Sequence, residues 1–330
     1  MLKARELANA GIYCRAETLM NRVMKIALFL VPVALILTVV PRVSAHDQEG
    51  VTKTVYATWL DKDGKVITNL APDEVVVVED GKQRQTMDFK RATAPMSIVM
   101  LADTSAAVAG AGLDSRGSSA TSAGDMIHDI RAAFSEFAKV MLAANPKNEL
   151  ALMEFGQASI MITNFASNGE ELEKSIMRLN TKPNAASVLL EGIMEASKEL
   201  GKRPNARRAI VTVNVMPDNE QSREPANNIM KELAKDRASF FSVSLQKGDL
   251  RNASRGPILE GYADKTGGKR DVIVGQSALV DMLKSYSTIL NSQYEISFTR
   301  PVGAPPQLLQ LGTHPNRGTV KVLQSKFPPQ

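Results

Sequence analysis

A carboxylate and a hydroxyl, separated by one residue, stand at the end of an apolar run in Ser97–Ala107, SIVMLADTSAA. An apolar stretch this short, with no alternation, is expected of a central strand covered on both faces of a parallel sheet. Ligands of such sheets bind beyond the carboxyl ends of the strands, so Asp103 and Ser105 fall where a site would be. A carboxylate in that loop is suited to accept hydrogen bonds from backbone N–H groups, with Ser105 bonding locally.

Other chemistries fit the sequence less well. Asp61-x-Asp63-Gly64 has the start of a calcium loop but not its later oxygen ligands, and it reads as a turn. Gly110-Ala111-Gly112 has no third glycine at nucleotide-loop spacing, and helical periodicity starts a dozen residues later. It reads as a surface loop beside Asp103. His46, His128 and His314 are isolated, with no metal-ligand spacing, and His128 falls on the polar side of a helix. No G-x-S-x-G elbow is present. Because no base, nucleophile or cofactor loop can be assembled, an extracytoplasmic hydrolase using the Asp103 crevice is an alternative reading only. Lys202-Arg203 with Arg207-Arg208 reads as a solvated helix end whose cations face the helix C-terminus.

The elements that must position Asp103 are strands alternating with helices. After Ser97–Leu101 comes a helix from Asp125, with Ser122 and Asp125 resembling a capping box. Strands follow at Glu149–Phe155 and Ser159–Asn164, and helices at Glu170–Leu179 and Ser187–Leu200. The apolar strands Arg208–Val215 and Ser239–Leu245 bracket a helix at Glu224–Asp236. A helix at Ile258–Lys265, a short edge strand Lys269–Ile273 and a helix at Ser277–Leu290 complete the series. This spacing predicts an α/β fold with a doubly wound, mostly parallel sheet. Both flanks, 46–94 and 292–330, carry β patterns instead. They are expected to pair with each other into one small β domain outside the α/β region 95–291.

The composition allows an exported globular protein. Arg22 and Lys25 precede the apolar run Ile26–Val40, and Val43-Ser44-Ala45 supplies small residues, which is the order of a secretory signal peptide cleaved after Ala45. The run is about 15 residues, short of the roughly 20 a spanning helix needs. Residues 1–45 hold six Lys/Arg and two Asp/Glu, leaving 34 basic and 33 acidic residues behind the formal charge of +5. That balance gives no basis for nucleic-acid binding. Cys14, the one cysteine, lies in the signal segment, so the expected mature chain has no disulfide and no thiolate metal site. Its location is expected to be periplasmic or secreted, with no membrane span after cleavage.

Ile98–Ser105 (IVMLADTS) resembles the first strand and metal-site opening of a von Willebrand factor A domain. Arg208-Ala209-Ile210-Val211 resembles its fourth strand, and Ala263–Gly268 (ADKTGG) the turn before its edge strand. The flanks are similar to those of exported bacterial proteins built around this domain, many of them from Acidobacteria. The resemblance implies a protein-interaction module with a cation held by three loops: D-x-S-x-S, a Thr and an Asp, all hard oxygen ligands for Mg²⁺ or Ca²⁺. Carried onto this chain, the ligand positions are Asp103, Ser105, Ser187 and Asp218. The third oxygen of the first loop is missing at Ala107. The third loop falls at Asn214 or Val215, where the usual Asp-Gly is absent. The resemblance therefore implies a degenerate metal site, no cofactor, and a non-catalytic protein that binds a protein or other macromolecule. A working Mg²⁺ or Ca²⁺ site capturing an acidic side chain of a partner is the alternative.

Overall fold

The structure is a computed structural model that describes residues 50–109, 123–216, 220–246, 255–303 and 308–322. The signal segment, the Gly110–Gly112 loop, the Ser122/Asp125 box and Asp218 lie outside the described residues or side chains.

The chain enters on β1 (Gly50–Leu60), whose last four residues are buried. In the turn that follows, Asp61 Oδ1 accepts hydrogen bonds from the N–H groups of Asp63 (2.9 Å) and Lys65 (2.8 Å). Gly64 takes φ +75°. The carboxylate of Asp61 is used on its own turn, so DKDG is a turn, as its sequence indicates. Next come β2 (Val75–Glu79), β3 (Lys82–Arg84) and β4 (Thr86–Arg91). Between β2 and β3, Asp80 and Gly81 both have positive φ, 54° and 71°, which a two-residue hairpin with the natural strand twist requires.

The α/β part follows as β5 (Met96–Asp103), α1 (Ala106–Ala109), α2 (Ala123–Ala144), β6 (Glu149–Phe155), β7 (Ser159–Ala166), α3 (Gly169–Ile176), α4 (Leu189–Gly201), β8 (Arg207–Met216), α5 (Ala226–Lys235), β9 (Ala238–Gln246), α6 (Gly256–Thr266), β10 (Lys269–Ile273) and α7 (Leu279–Asn291). The sheet order is β10-β9-β8-β5-β6-β7. All neighbours are parallel except β7, which runs antiparallel to β6. This is the doubly wound α/β class expected from the sequence.

Every residue of β5 is buried. Ile98, Met100 and Ala102 pack with α2 and α7 residues such as Phe134, Phe137, Leu283 and Tyr286. Val99 and Leu101 face the other way, onto Leu189, Ile193, Ile229 and Leu259 of α4, α5 and α6. A strand covered on both faces has no polar side to show, so its sequence carries no alternation.

The C-terminal flank forms β11 (Tyr294–Pro301), β12 (Leu309–Thr313) and β13 (Thr319–Val322). β11 lies between β1 and β4, and β13 adds outside β1. β12 pairs with β2, which pairs with β3. The two flanks thus form two antiparallel sheets around Trp59, Val77, Tyr294, Ile296, Phe298 and Leu309. Phe89 stacks on Tyr294 with ring centroids 4.6 Å apart, and Trp59 meets Tyr294 edge-on at 5.9 Å. Glu79 is fully buried among them and is held by ion pairs from Arg300 and Arg84.

Two expectations are corrected. The stretch from Ala106, where the sequence predicts no helix before Asp125, begins with the helical turn α1. The basic cluster at 202–208 is a solvated helix end only at Lys202, which is exposed at the C-terminus of α4. Arg207 is buried and donates to Gln293 Oε1 (2.9 Å), the Ala94 carbonyl (2.7 Å) and the Leu290 carbonyl (2.6 Å), and burial draws its pKa down to about 10. Arg208 donates to the carbonyls of Asn205 and Asp236 at 2.8 Å each. Arg203 pairs with Glu149. These arginines join backbone segments at the foot of the sheet, which a charge count along the sequence does not reveal.

Candidate functional site

The chain winds one way from β5 to β6 and the other way from β8 to β9, so β5 and β8 border the switch point of the sheet. Loops leaving adjacent strands in opposite directions open a crevice there. Asp103 ends β5 at this crevice, and Asp103, Thr104 and Ser105 are all buried.

Both oxygens of the Asp103 carboxylate are engaged. Oδ1 accepts the Ser105 N–H at 2.9 Å, and Oδ2 accepts the Val215 N–H at 3.0 Å. The guanidinium of Arg255 stands 4.0 Å from Oδ2. Burial pushes the carboxyl up from the usual range, opposed by the Arg255 charge and by the hydrogen bonds from Ser105 and Val215. The carboxylate thus works as a loop acceptor, across strands as well as locally.

The second loop is tied to the first through its backbone. Lys182 N–H donates to the Thr104 carbonyl at 2.8 Å, and Ala106 N–H to the Ala185 carbonyl at 2.8 Å. Thr104 donates through both its N–H (2.9 Å) and Oγ1 (3.1 Å) to the Phe155 carbonyl. Ser187 is buried two residues beyond Ala185. Its carbonyl accepts from the Gln221 N–H at 2.7 Å, which brings the third loop alongside.

Arg255 joins all three loops. Its Nη1 donates to Ser187 Oγ (2.6 Å) and pairs with Glu220 Oε2 (2.9 Å). Its Nη2 donates to the Val215 carbonyl at 3.0 Å and lies 3.5 Å from Asn214 Oδ1. Arg255 is completely buried, and among the described residues two carboxylates, Glu220 and Asp103, meet its charge, as a buried arginine requires. Ser187, a ligand position by resemblance, instead accepts from an arginine far along the chain. Asn214, at the position where the third loop lacks its Asp, donates to Ser242 Oγ at 2.9 Å.

The structure brings together Asp103, Ser105 and Ser187, and Asp218 lies outside the described residues. Sequence reading missed Arg255 and Glu220. One local signal was available for Arg255. It is the residue before Gly256-Pro257 at the N-terminus of α6, where a cation opposes the helix dipole. An arginine kept there has a use elsewhere.

These residues do not fit a divalent cation. The hydroxyl of Ser187 is already bonded to a guanidinium nitrogen, Ala107 offers no oxygen, and Asp103 has both oxygens engaged. A doubly charged ion about 4 Å from a fixed guanidinium would meet roughly 8 kcal/mol of repulsion at an effective dielectric near 20. Among the described residues, no group of three or more His, Cys, Asp or Glu side chains converges to hold a metal.

No family model matches the chain, and no curated protein matches it. Solved structures are similar in fold. The VWA domain of SpRpn10 shares 14% identity at a TM-score of 0.42, covering 58% of this chain and 94% of that one. A von Willebrand factor type A protein from Catenulispora acidiphila shares 11% at 0.45, covering 84% and 73%. Proximal thread matrix protein 1 of the mussel byssus, with a zinc-occupied MIDAS motif, shares 9% at 0.48, covering 65% and 49%. At these identities and scores the likeness is one of general α/β arrangement. No helix among the described residues is long and apolar enough to cross a membrane.

Proposed function

We infer that this protein is an exported, non-catalytic interaction module that binds a protein or other macromolecule through the loops above Asp103. The observation that carries the reading is the engagement of both Asp103 oxygens, by the Ser105 and Val215 N–H groups, with the Arg255 guanidinium beside them. With both Asp103 oxygens engaged, recognition rests on the shape and side chains of the loops rather than on a bridging cation. Gln157 and Arg223 are exposed in loops that follow β6 and β8 at this end of the sheet. The small β domain, built from both flanks, orients the module or attaches it to other proteins. The signal-like segment supports export to the periplasm or beyond, with cleavage after Ala45, and so does the resemblance of the flanks to exported bacterial proteins.

Photo-crosslinking residues placed at Gln157 and Arg223, and at Lys62 and Lys82 of the β domain, test this in the producing cell. The expected result is one specific adduct from the first pair, lost when Arg223→Glu is added beside a crosslinker at Gln157. Adducts from Lys62 and Lys82 alone would overturn the assignment of the surface. For export, the N-terminus of the purified protein is expected near His46.

A further inference from the structure

Among the described residues, five oxygens converge on the Arg255 guanidinium: Ser187 Oγ, Glu220 Oε2, the Val215 carbonyl, Asn214 Oδ1 and Asp103 Oδ2, at 2.6 to 4.0 Å. They come from three stretches of chain: the end of β5, the segment before α4, and the end of β8 with the loop after it. Two are carboxylates and three are neutral hard oxygens, the set that Mg²⁺, Mn²⁺ or Ca²⁺ prefers. Their two negative charges are half balanced by one arginine, and the whole group is closed off from solvent or nearly so.

We propose that Arg255 is a built-in cation, which holds the three loops in one arrangement without a divalent ion and masks a latent cation site made by Asp103, Ser187, Asn214 and Glu220. A guanidinium differs from a metal ion in two respects that matter here. It is covalently fixed, so it cannot be removed by dilution or chelation. It also spends its planar donors in fixed directions, leaving no exchangeable position for a partner's carboxylate. The arrangement of these five oxygens is therefore independent of divalent cations. This deepens the proposed interaction role and rests on it only for the use of the face, since the test needs no partner.

The test follows melting and Mn²⁺ uptake by equilibrium dialysis on the full chain. The native chain is expected to take up no Mn²⁺ at this site and to melt at the same temperature with Mn²⁺, Mg²⁺ or chelator. Arg255→Ser is expected to melt lower by about 5 °C or more in chelator. It should regain much of that with millimolar Mn²⁺, and lose the Mn²⁺ response when Asp103→Ala or Glu220→Gln is added. Mn²⁺ uptake by the native chain that Asp103→Ala abolishes would overturn the proposal, as would a folded Arg255→Ser with no cation response. If Arg255→Ser does not fold, Arg255→Lys and Arg255→Gln decide: the lysine variant should melt clearly above the glutamine one, and equal melting would overturn the role of the charge. Failure of the crosslinking assignment would leave these outcomes unchanged, so the two readings fail separately.

Discussion

The backbone N–H of Val215 donates to the carboxylate of Asp103 at 3.0 Å, joining the end of β8 to the end of β5 across 112 residues of chain. The bond spans the switch point of the sheet, where the two loops would otherwise separate. It makes Asp103 a structural acceptor, and the expected consequences are structural.

Asp103→Ala should lower stability by about 3–5 kcal/mol, because it leaves the buried Arg255 charge with one carboxylate fewer and strands two N–H groups. Urea unfolding measures the loss. Hydrogen exchange should show the Ser105 and Val215 amides exchanging much faster, with amides of the β domain such as Ile296 unaffected. Unchanged exchange at Val215 would mean that the carboxylate does not order the crevice.

Acid sensitivity should have a contribution from Glu149. Burial raises its pKa, but hydrogen bonds from Arg203 and Ser97, with the Arg203 charge, outweigh this and hold the carboxyl below the usual range. A depressed acid binds fewer protons in the folded state than in the unfolded one. Its stabilisation is thus present above the unfolded pKa, about 4.3, and is lost as pH falls through the lower folded value. Glu149→Gln should therefore cost stability at pH 7 and much less near pH 3. Equal loss at both pH values would assign the effect to packing instead.

The flanks are joined by Glu79 of β2 and Arg300 of β11, both buried, with Arg300 Nε 2.9 Å from Glu79 Oε1. Glu79→Gln should destabilise by about 3–5 kcal/mol, since it leaves buried arginine charge unpaired. Glu79→Leu with Arg300→Met should cost less than the sum of the two single changes. Chemical denaturation of all four proteins gives the coupling, and simple additivity would show that the pair does not act as a unit.

Two glycines should respond in opposite directions. A Cβ on Gly268, just before β10, would lie 1.8 Å from the Phe240 carbonyl oxygen. Gly268→Ala must therefore push the edge strand off β9, at a cost of about 2 kcal/mol or more. Gly261 lies inside α6 with nothing within 4 Å of a built Cβ. Gly261→Ala should raise stability by about 0.5–1 kcal/mol. Thermal melts of both variants check the pair.

The sequence by itself determined the strand ending on Asp103, the alternation of strands and helices around it, and the β character of both flanks. Those are local properties: an apolar run without polar alternation can be satisfied only between two covered faces, and the turn at Asp61–Gly64 is closed by its own carboxylate. What the loops above Asp103 hold was decided by the tertiary structure. Arg255 stands before a helix in a polar stretch with no periodicity, and Glu220 in a loop rich in charged residues. Only the order in which the strands assemble brings them to Ser187 and Val215. The same holds for Arg207, which reads as a solvated charge along the chain and is buried in the fold, and Glu79 is likewise buried where the flanks pair. A charge looks alike in sequence whether water or an opposite charge solvates it, and the fold decides which.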